Sequence, residues 1–130
     1  MERKIFIAGA SFCVLSVVLG AFGAHALKAS LSEASLQTFE TGVRYQMYHG
    51  LLLLILGMLP LLNLKTKKLA AILVGVGVVL FSGSIYLLAT NSMTNFDFKT
   101  IGFITPIGGT VLIFAWLIII KGFVKKIDNN

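Results

Sequence analysis

Four long runs of apolar residues, separated by short polar segments, dominate the chain. The first extends from Ile5 to Ala24 without a charge, the second from about Tyr45 to Leu64, the third from Leu69 to Thr90 and the fourth from Ile101 to Ile120. Each approaches the roughly 20 residues that a helix needs to cross the hydrocarbon core of a bilayer. The pattern predicts an all-α membrane protein, a four-transmembrane-helix up-and-down bundle, as a single integral membrane domain over residues 1–130. The links Lys65–Lys68 and Asn91–Thr100 are short, and short links force neighbouring helices antiparallel.

The remaining connection, Ala26–Arg44, carries a different pattern. Ser30-Leu31-Ser32-Glu33 has the form of a capping box, with Ser30 accepting from the first turn and Glu33 reaching back. At about 100° per residue, Leu36, Phe39 and Val43 share one side of a helix, and Glu33, Gln37, Glu40 and Arg44 the adjoining one. This predicts an amphipathic interfacial helix over residues 31–43 that runs or turns into span two. Glu40 and Arg44 stand in the favourable acid-first i,i+4 order.

Composition sharpens the class. Apolar residues make up 57% of the chain and charged residues 12%, too few charges to cover the surface of a small soluble domain. The net charge of +6 raises the question of nucleic acid, but the basic residues do not line one face. Arg3 and Lys4, then Lys65, Lys67 and Lys68, then Lys121, Lys125 and Lys126 each flank an apolar run. With four spans these eight of the eleven basic residues share one side, while Lys28, Arg44 and Lys99 face Glu33, Glu40 and Asp97 on the other. The positive-inside rule then makes both termini cytoplasmic, in a multi-pass protein of the plasma (inner) membrane.

Small residues recur along the first span at alternating four- and three-residue spacing, at Gly9, Cys13, Ser16, Gly20 and Gly23. Such a seam lets a second helix approach closely. It also argues against reading Ala24-His25-Ala26 as a signal cleavage site, because a discarded peptide needs no packing face. Gly75 and Gly83 form a similar seam in the third span, with Gly77 and Ser84 as a second one. Gly108 and Gly109 are expected to serve close packing in the fourth, where Pro106 should distort the helix by removing a backbone hydrogen bond. The lone Cys13 is expected at a helix contact, and with only two histidines beside it a metal site is not expected.

Polar residues inside a bilayer are costly unless they face protein or water. With the orientation above, His25, Glu40, Arg44, His49, Ser84, Tyr86 and Thr105 gather in the outer half of the bundle as a candidate polar site. Its structural reading pairs Arg44 with Glu40 and lets His49 hydrogen-bond across helices to a serine or tyrosine. Its functional reading has His49 and Arg44 recognise an anionic group or relay a proton. On one regular helix, however, Arg44 and His49 point about 140° apart. No G-x-x-x-x-G-K, H-E-x-x-H or G-x-S-x-G occurs, no acidic residue lies within a span, and no catalytic residues or cofactor are expected.

Gly20-Ala-Phe-Gly-Ala-His25-Ala-Leu27, Phe39-Glu-Thr-Gly-Val-Arg-Tyr-Gln-Met-Tyr-His49, Phe81-Ser-Gly-Ser-Ile-Tyr86 and Ile104-Thr-Pro-Ile-Gly-Gly-Thr110 follow one another in an order and spacing with a familiar look. They resemble the YgdD/YwdK-like family of small bacterial membrane proteins, domain of unknown function 423, related to the eukaryotic transmembrane protein 256. The resemblance covers nearly the whole chain and implies a four-span plasma-membrane protein without an assigned activity. It offers no catalytic residues to carry over.

The function expected is therefore that of a non-enzymatic accessory or interaction protein. Its partners would be the lipid bilayer and either further copies of the chain or a larger membrane complex, with no nucleic acid. The alternatives are a small oligomeric transporter or channel, and a binder of an anionic lipid headgroup at the outer leaflet.

Overall fold

A computed structural model describes residues 1–129. It contains four long helices, α1 (Arg3–His25), α2 (Glu33–Met58), α3 (Leu64–Ala89) and α4 (Ile104–Asp128), and two short 3-10 turns in the link before α4. No strand occurs among the described residues. Three segments, Arg3–His25, Leu64–Ala89 and Phe98–Asp128, are long and apolar enough to cross a membrane. Helix α2 is long enough but does not reach the same hydropathy, because Glu33, Glu40, Arg44, Gln46 and His49 interrupt it.

The ends of α2 differ from the sequence expectation, for identifiable reasons. The helix starts at Glu33, with Ser32 as its N-cap accepting from Ser35 N at 3.2 Å, so the capping box at Ser30 is not formed. Residues 33–43 are the first turns of the same unbroken helix as His49, not a separate interfacial element. At the other end the helix stops at Met58, six residues short of Leu64. Pro60 drives the preceding Leu59 into an extended conformation (φ −75°, ψ 116°) and ends the helix there. Asn63 then caps α3 by accepting from Thr66 N at 2.9 Å.

Pro106 does not distort α4. The helix begins at Ile104, so the proline falls in the first turn, where backbone N–H groups have no intrahelical partner to lose. The helix itself starts and ends later than the apolar run 101–120, at Ile104–Asp128.

The helices pack in chain order, α1 on α2, α2 on α3 and α3 on α4, and α1 and α4 share no comparable interface. The arrangement is an open row with α2 and α3 at its centre. Leu53, Leu56, Val74, Val78, Leu112 and Ala115 form the main core. A second cluster of Leu27, Leu31, Phe39 and Ala89 closes the end that carries the α1–α2 link. Large apolar side chains point outward on the edge helices, among them Val14 and Val18 on α1 and Ile113 and Ile120 on α4. Lipid accepts such a surface without penalty.

Glycine sets how closely the helices approach. A Cβ on Gly9 would lie 2.7 Å from Gly50 O, and one on Gly50 2.8 Å from Cys13 Sγ, so α1 and α2 touch backbone to backbone. Gly23 is filled by the Phe39 ring, Gly20 faces Val43 and Gly57 faces Phe6, which makes the pair antiparallel over its whole length. Between α3 and α4 the close approaches are Gly77 on Leu112 and Gly108 on the Leu80–Phe81 backbone, with Gly109 in ordinary contact with the Phe81 ring. Gly75 and Gly83 depart from expectation, because nothing lies within 4 Å of a Cβ at either. The seam facing α4 is the Gly77–Ser84 one.

Candidate functional site

The polar residues of the central helices form chains of hydrogen bonds that cross the row. Two serines donate to adjacent carbonyls of α2 from opposite sides. Ser16 Oγ of α1 reaches Val43 O at 2.8 Å, and Ser82 Oγ of α3 reaches Gly42 O at 2.7 Å. Gly42 has no side chain to keep α3 away, and the Tyr86 ring occupies the space a Cβ would need.

One turn further along α2, Gln46 spans the row. Its Nε2 donates to Phe12 O of α1 at 3.0 Å, and its Oε1 accepts from Tyr86 Oη of α3 at 2.6 Å. A single buried amide thus ties α1 to α3 through α2. The Tyr86 ring packs at 5.0 Å from Phe39, which orients its hydroxyl inward.

His49 lies almost one turn beyond Gln46 and is 4% exposed. Its Nδ1 is 2.7 Å from Tyr45 O, and its Nε2 is 3.1 Å from Trp116 Nε1 of α4. An indole nitrogen can only donate, so Nε2 accepts and the ring proton sits on Nδ1, donating to Tyr45 O. Both nitrogens are used. The imidazole also stacks on Tyr45 and meets Trp116 edge-on, with centroids 6.2 and 6.0 Å away. Ser84 and Thr105 share a hydrogen bond of 2.6 Å between α3 and α4, and the Ser84 hydroxyl donates to Phe81 O at 2.9 Å.

The seven residues gathered by sequence do not form one site. Ser84, Thr105, Tyr86 and His49 enter three separate interhelical bonds. His25, Glu40 and Arg44 are exposed. Arg44 donates to Thr41 Oγ1 at 3.3 Å rather than to Glu40. The level of His25 on α2 is near Phe39, since Gly23 packs there, which leaves His49 about 15 Å further along at a rise of about 1.5 Å per residue. His25 and His49 therefore cannot hold one ligand.

His49 lies at mid-length of the neighbouring helices. Its partner Trp116 is midway along α4, and its neighbour Gly50 packs at the middle of α1. Sequence reasoning missed Gln46 and Trp116. Both carried a signal: an amide inside an apolar run, and a tryptophan at mid-span rather than at the interface where such residues concentrate.

Chemically the network is closed. Among the described residues, every buried side-chain nitrogen and oxygen has a hydrogen-bond partner, and no three His, Cys, Asp or Glu side chains come together as a metal-ligand set.

Fold and site together define a helical membrane protein whose polar interior joins helix to helix. The family profile described as protein of unknown function (DUF423) matches residues 19–109. The chain belongs to this family. Among its relatives, the UPF0382 membrane protein YwdK of Bacillus subtilis is 40% identical over 94% of this chain and 98% of its own length. The UPF0382 membrane protein SH2409 of Staphylococcus haemolyticus is 42% identical over 90% and 93% respectively. A UPF0382 membrane protein of Haemophilus influenzae is 37% identical over 88% and 86%. No solved structure matches.

Proposed function

We propose that the chain is a four-span protein of the plasma membrane, with both termini cytoplasmic, acting as a non-enzymatic accessory or interaction protein. Helix α2 supplies the fourth span. It runs antiparallel beside α1 from Gly23–Phe39 to Phe6–Gly57, so a bilayer thick enough to contain α1 contains α2 as well. The polar groups that lower its hydropathy, Gln46 and His49, are buried against protein and do not meet lipid. The eight basic residues at the ends carrying both termini support the cytoplasmic assignment.

The observation that carries the accessory reading is the closure of the polar network. Groups that would relay a proton or bind a substrate are spent on neighbouring helices. What remains free is the outward surface, including the strip of α3 at Gly75 and Gly83, where a helix from another chain meets no obstructing side chain. Native mass spectrometry from mild detergent tests this reading. The wild type is expected to retain a second chain, either another copy or a different protein, and Gly83→Leu to lose it while staying folded. A monomer in both samples counts against it. Gly20→Leu is a poorer probe, because Gly20 packs on Val43 and its enlargement disturbs the fold.

One observation favours the headgroup alternative. The Arg44 guanidinium is exposed and donates to the neutral Thr41 hydroxyl, which leaves it able to hold phosphate. Lipid that co-purifies with the wild type and is lost in Arg44→Ala would support that reading over the accessory one.

A further inference from the structure

At the end of the row opposite the α1–α2 link, α3 and α4 flank a cleft of about 570 Å³. Its rim carries four lysines, Lys65 from the first turn of α3 and Lys121, Lys125 and Lys126 from the last turns of α4. Among the described residues, no carboxylate lines it. Asn63, the N-cap of α3, lies at its mouth, so the positive end of that helix dipole adds to the lysine charge. Its depth is apolar. Leu69 lies one turn below Lys65 and Ile118 almost one turn below Lys121, about 6 Å and about 4.5 Å towards the bilayer centre respectively. Gly122, itself in the lining, faces Thr66 and Leu62 closely, which brings α4 against the start of α3.

We propose that this cleft binds an anionic phospholipid from the leaflet at the lysine-bearing end. The phosphate would sit among the four ammonium groups, and an acyl chain would run over Leu69 and Ile118 into the groove between α3 and α4. Charge decides the headgroup. Four ammonium groups around one cleft, with no acid among the described lining residues, repel one another until an anion joins them. The gradient from charged rim to apolar floor decides for a lipid over a free anion, since a soluble phosphate leaves the floor unused. The volume falls within the range of about 300–1,000 Å³ usual for small-molecule sites. Topological lysines need only lie near the interface; these four line one cavity. The site is distinct from the Arg44 surface at the opposite end, and it does not depend on the accessory reading.

The test uses the full-length protein in mixed micelles of phosphatidylglycerol and phosphatidylcholine with identical chains, read by native mass spectrometry of retained lipid. The wild type is expected to retain phosphatidylglycerol preferentially. The triple variant Lys65→Gln, Lys121→Gln, Lys125→Gln should lose that preference by roughly tenfold or more, since each lysine near anionic lipid contributes several-fold. The triple variant with Arg at the same positions should keep it, which separates charge loss from misfolding. A control triple, Arg3→Gln, Lys4→Gln, Lys68→Gln, removes equal charge at the same end outside the cleft and should also keep it. The proposal is overturned if the wild type shows no preference, or if the control loses it as fully as the cleft variant. It is overturned too if inorganic phosphate displaces the lipid completely, which would make the site one for a free anion.

Discussion

Trp116 Nε1 donates to His49 Nε2 across 3.1 Å, and this bond links α4 to α2 while fixing the imidazole tautomer. The proton left on Nδ1 goes to Tyr45 O, within the same helix, at 2.7 Å. In nitrogen-15 NMR of the protein in micelles, His49 is therefore expected as the Nδ1–H form, with Nε2 unprotonated. Observation of the Nε2–H form would contradict the pairing, because indole and imidazole would then present two donors to each other.

The same bond makes an energetic prediction. Trp116→Phe leaves Nε2 buried without a donor, at a cost of about 1–2 kcal/mol. A double-mutant cycle with His49→Ala in detergent is expected to return a favourable coupling of about 0.6 kcal/mol, and no more than about 1.7, the average and the maximum for hydrogen bonds between membrane helices. Additive losses would mean that the two side chains merely pack side by side.

Gln46 joins three helices, so its loss should exceed that of either partner. Tyr86→Phe removes one bond and orphans Oε1, costing about 1–2 kcal/mol. Gln46→Ala removes both bonds and leaves a cavity, and is expected to lower the thermal midpoint further than Tyr86→Phe. Equal shifts for the two variants would show that the bond to Phe12 O contributes nothing.

Glycines on the two sides of α3 should respond in opposite directions. A Cβ at Gly77 would meet Leu112 at 2.6 Å, so Gly77→Ala is expected to destabilise by about 1–3 kcal/mol as the α3–α4 contact opens. Gly83 has open space, and Gly83→Ala should be neutral or stabilising by up to about 1 kcal/mol through helix propensity. Thermal unfolding monitored by circular dichroism distinguishes the two.

Much of the fold was legible in the apolar runs and small residues. The spacing of Gly9, Ser16, Gly20 and Gly23 marked a helix-packing face, and α2 lies on that face. The third span was harder, because Gly75, Gly77 and Gly83 all sit on one apolar helix and spacing alone does not say which stripe faces α4. Pro106 misled for a local reason. Its effect depends on whether it falls in a first turn or an interior one, and the helix start at Ile104 is set by the link that precedes it. The polar site was half legible. His49 was expected to bond to a serine or tyrosine and is paired with Trp116 instead, because pairing needs the register between helices, which a single sequence does not contain. That register puts Trp116 opposite His49 and leaves Arg44 at the surface.

Whether α2 crosses the membrane is tested most directly by the sidedness of its two flanking links. In a Cys13→Ser background, single cysteines at Ser30, Asn63 and Thr94 are exposed in intact cells to a membrane-impermeant thiol reagent. Four spans with cytoplasmic termini predict that positions 30 and 94 are labelled and position 63 is labelled only after permeabilisation. Labelling of positions 30 and 63 together in intact cells would place both ends of α2 on one side, and the four-span account would be wrong.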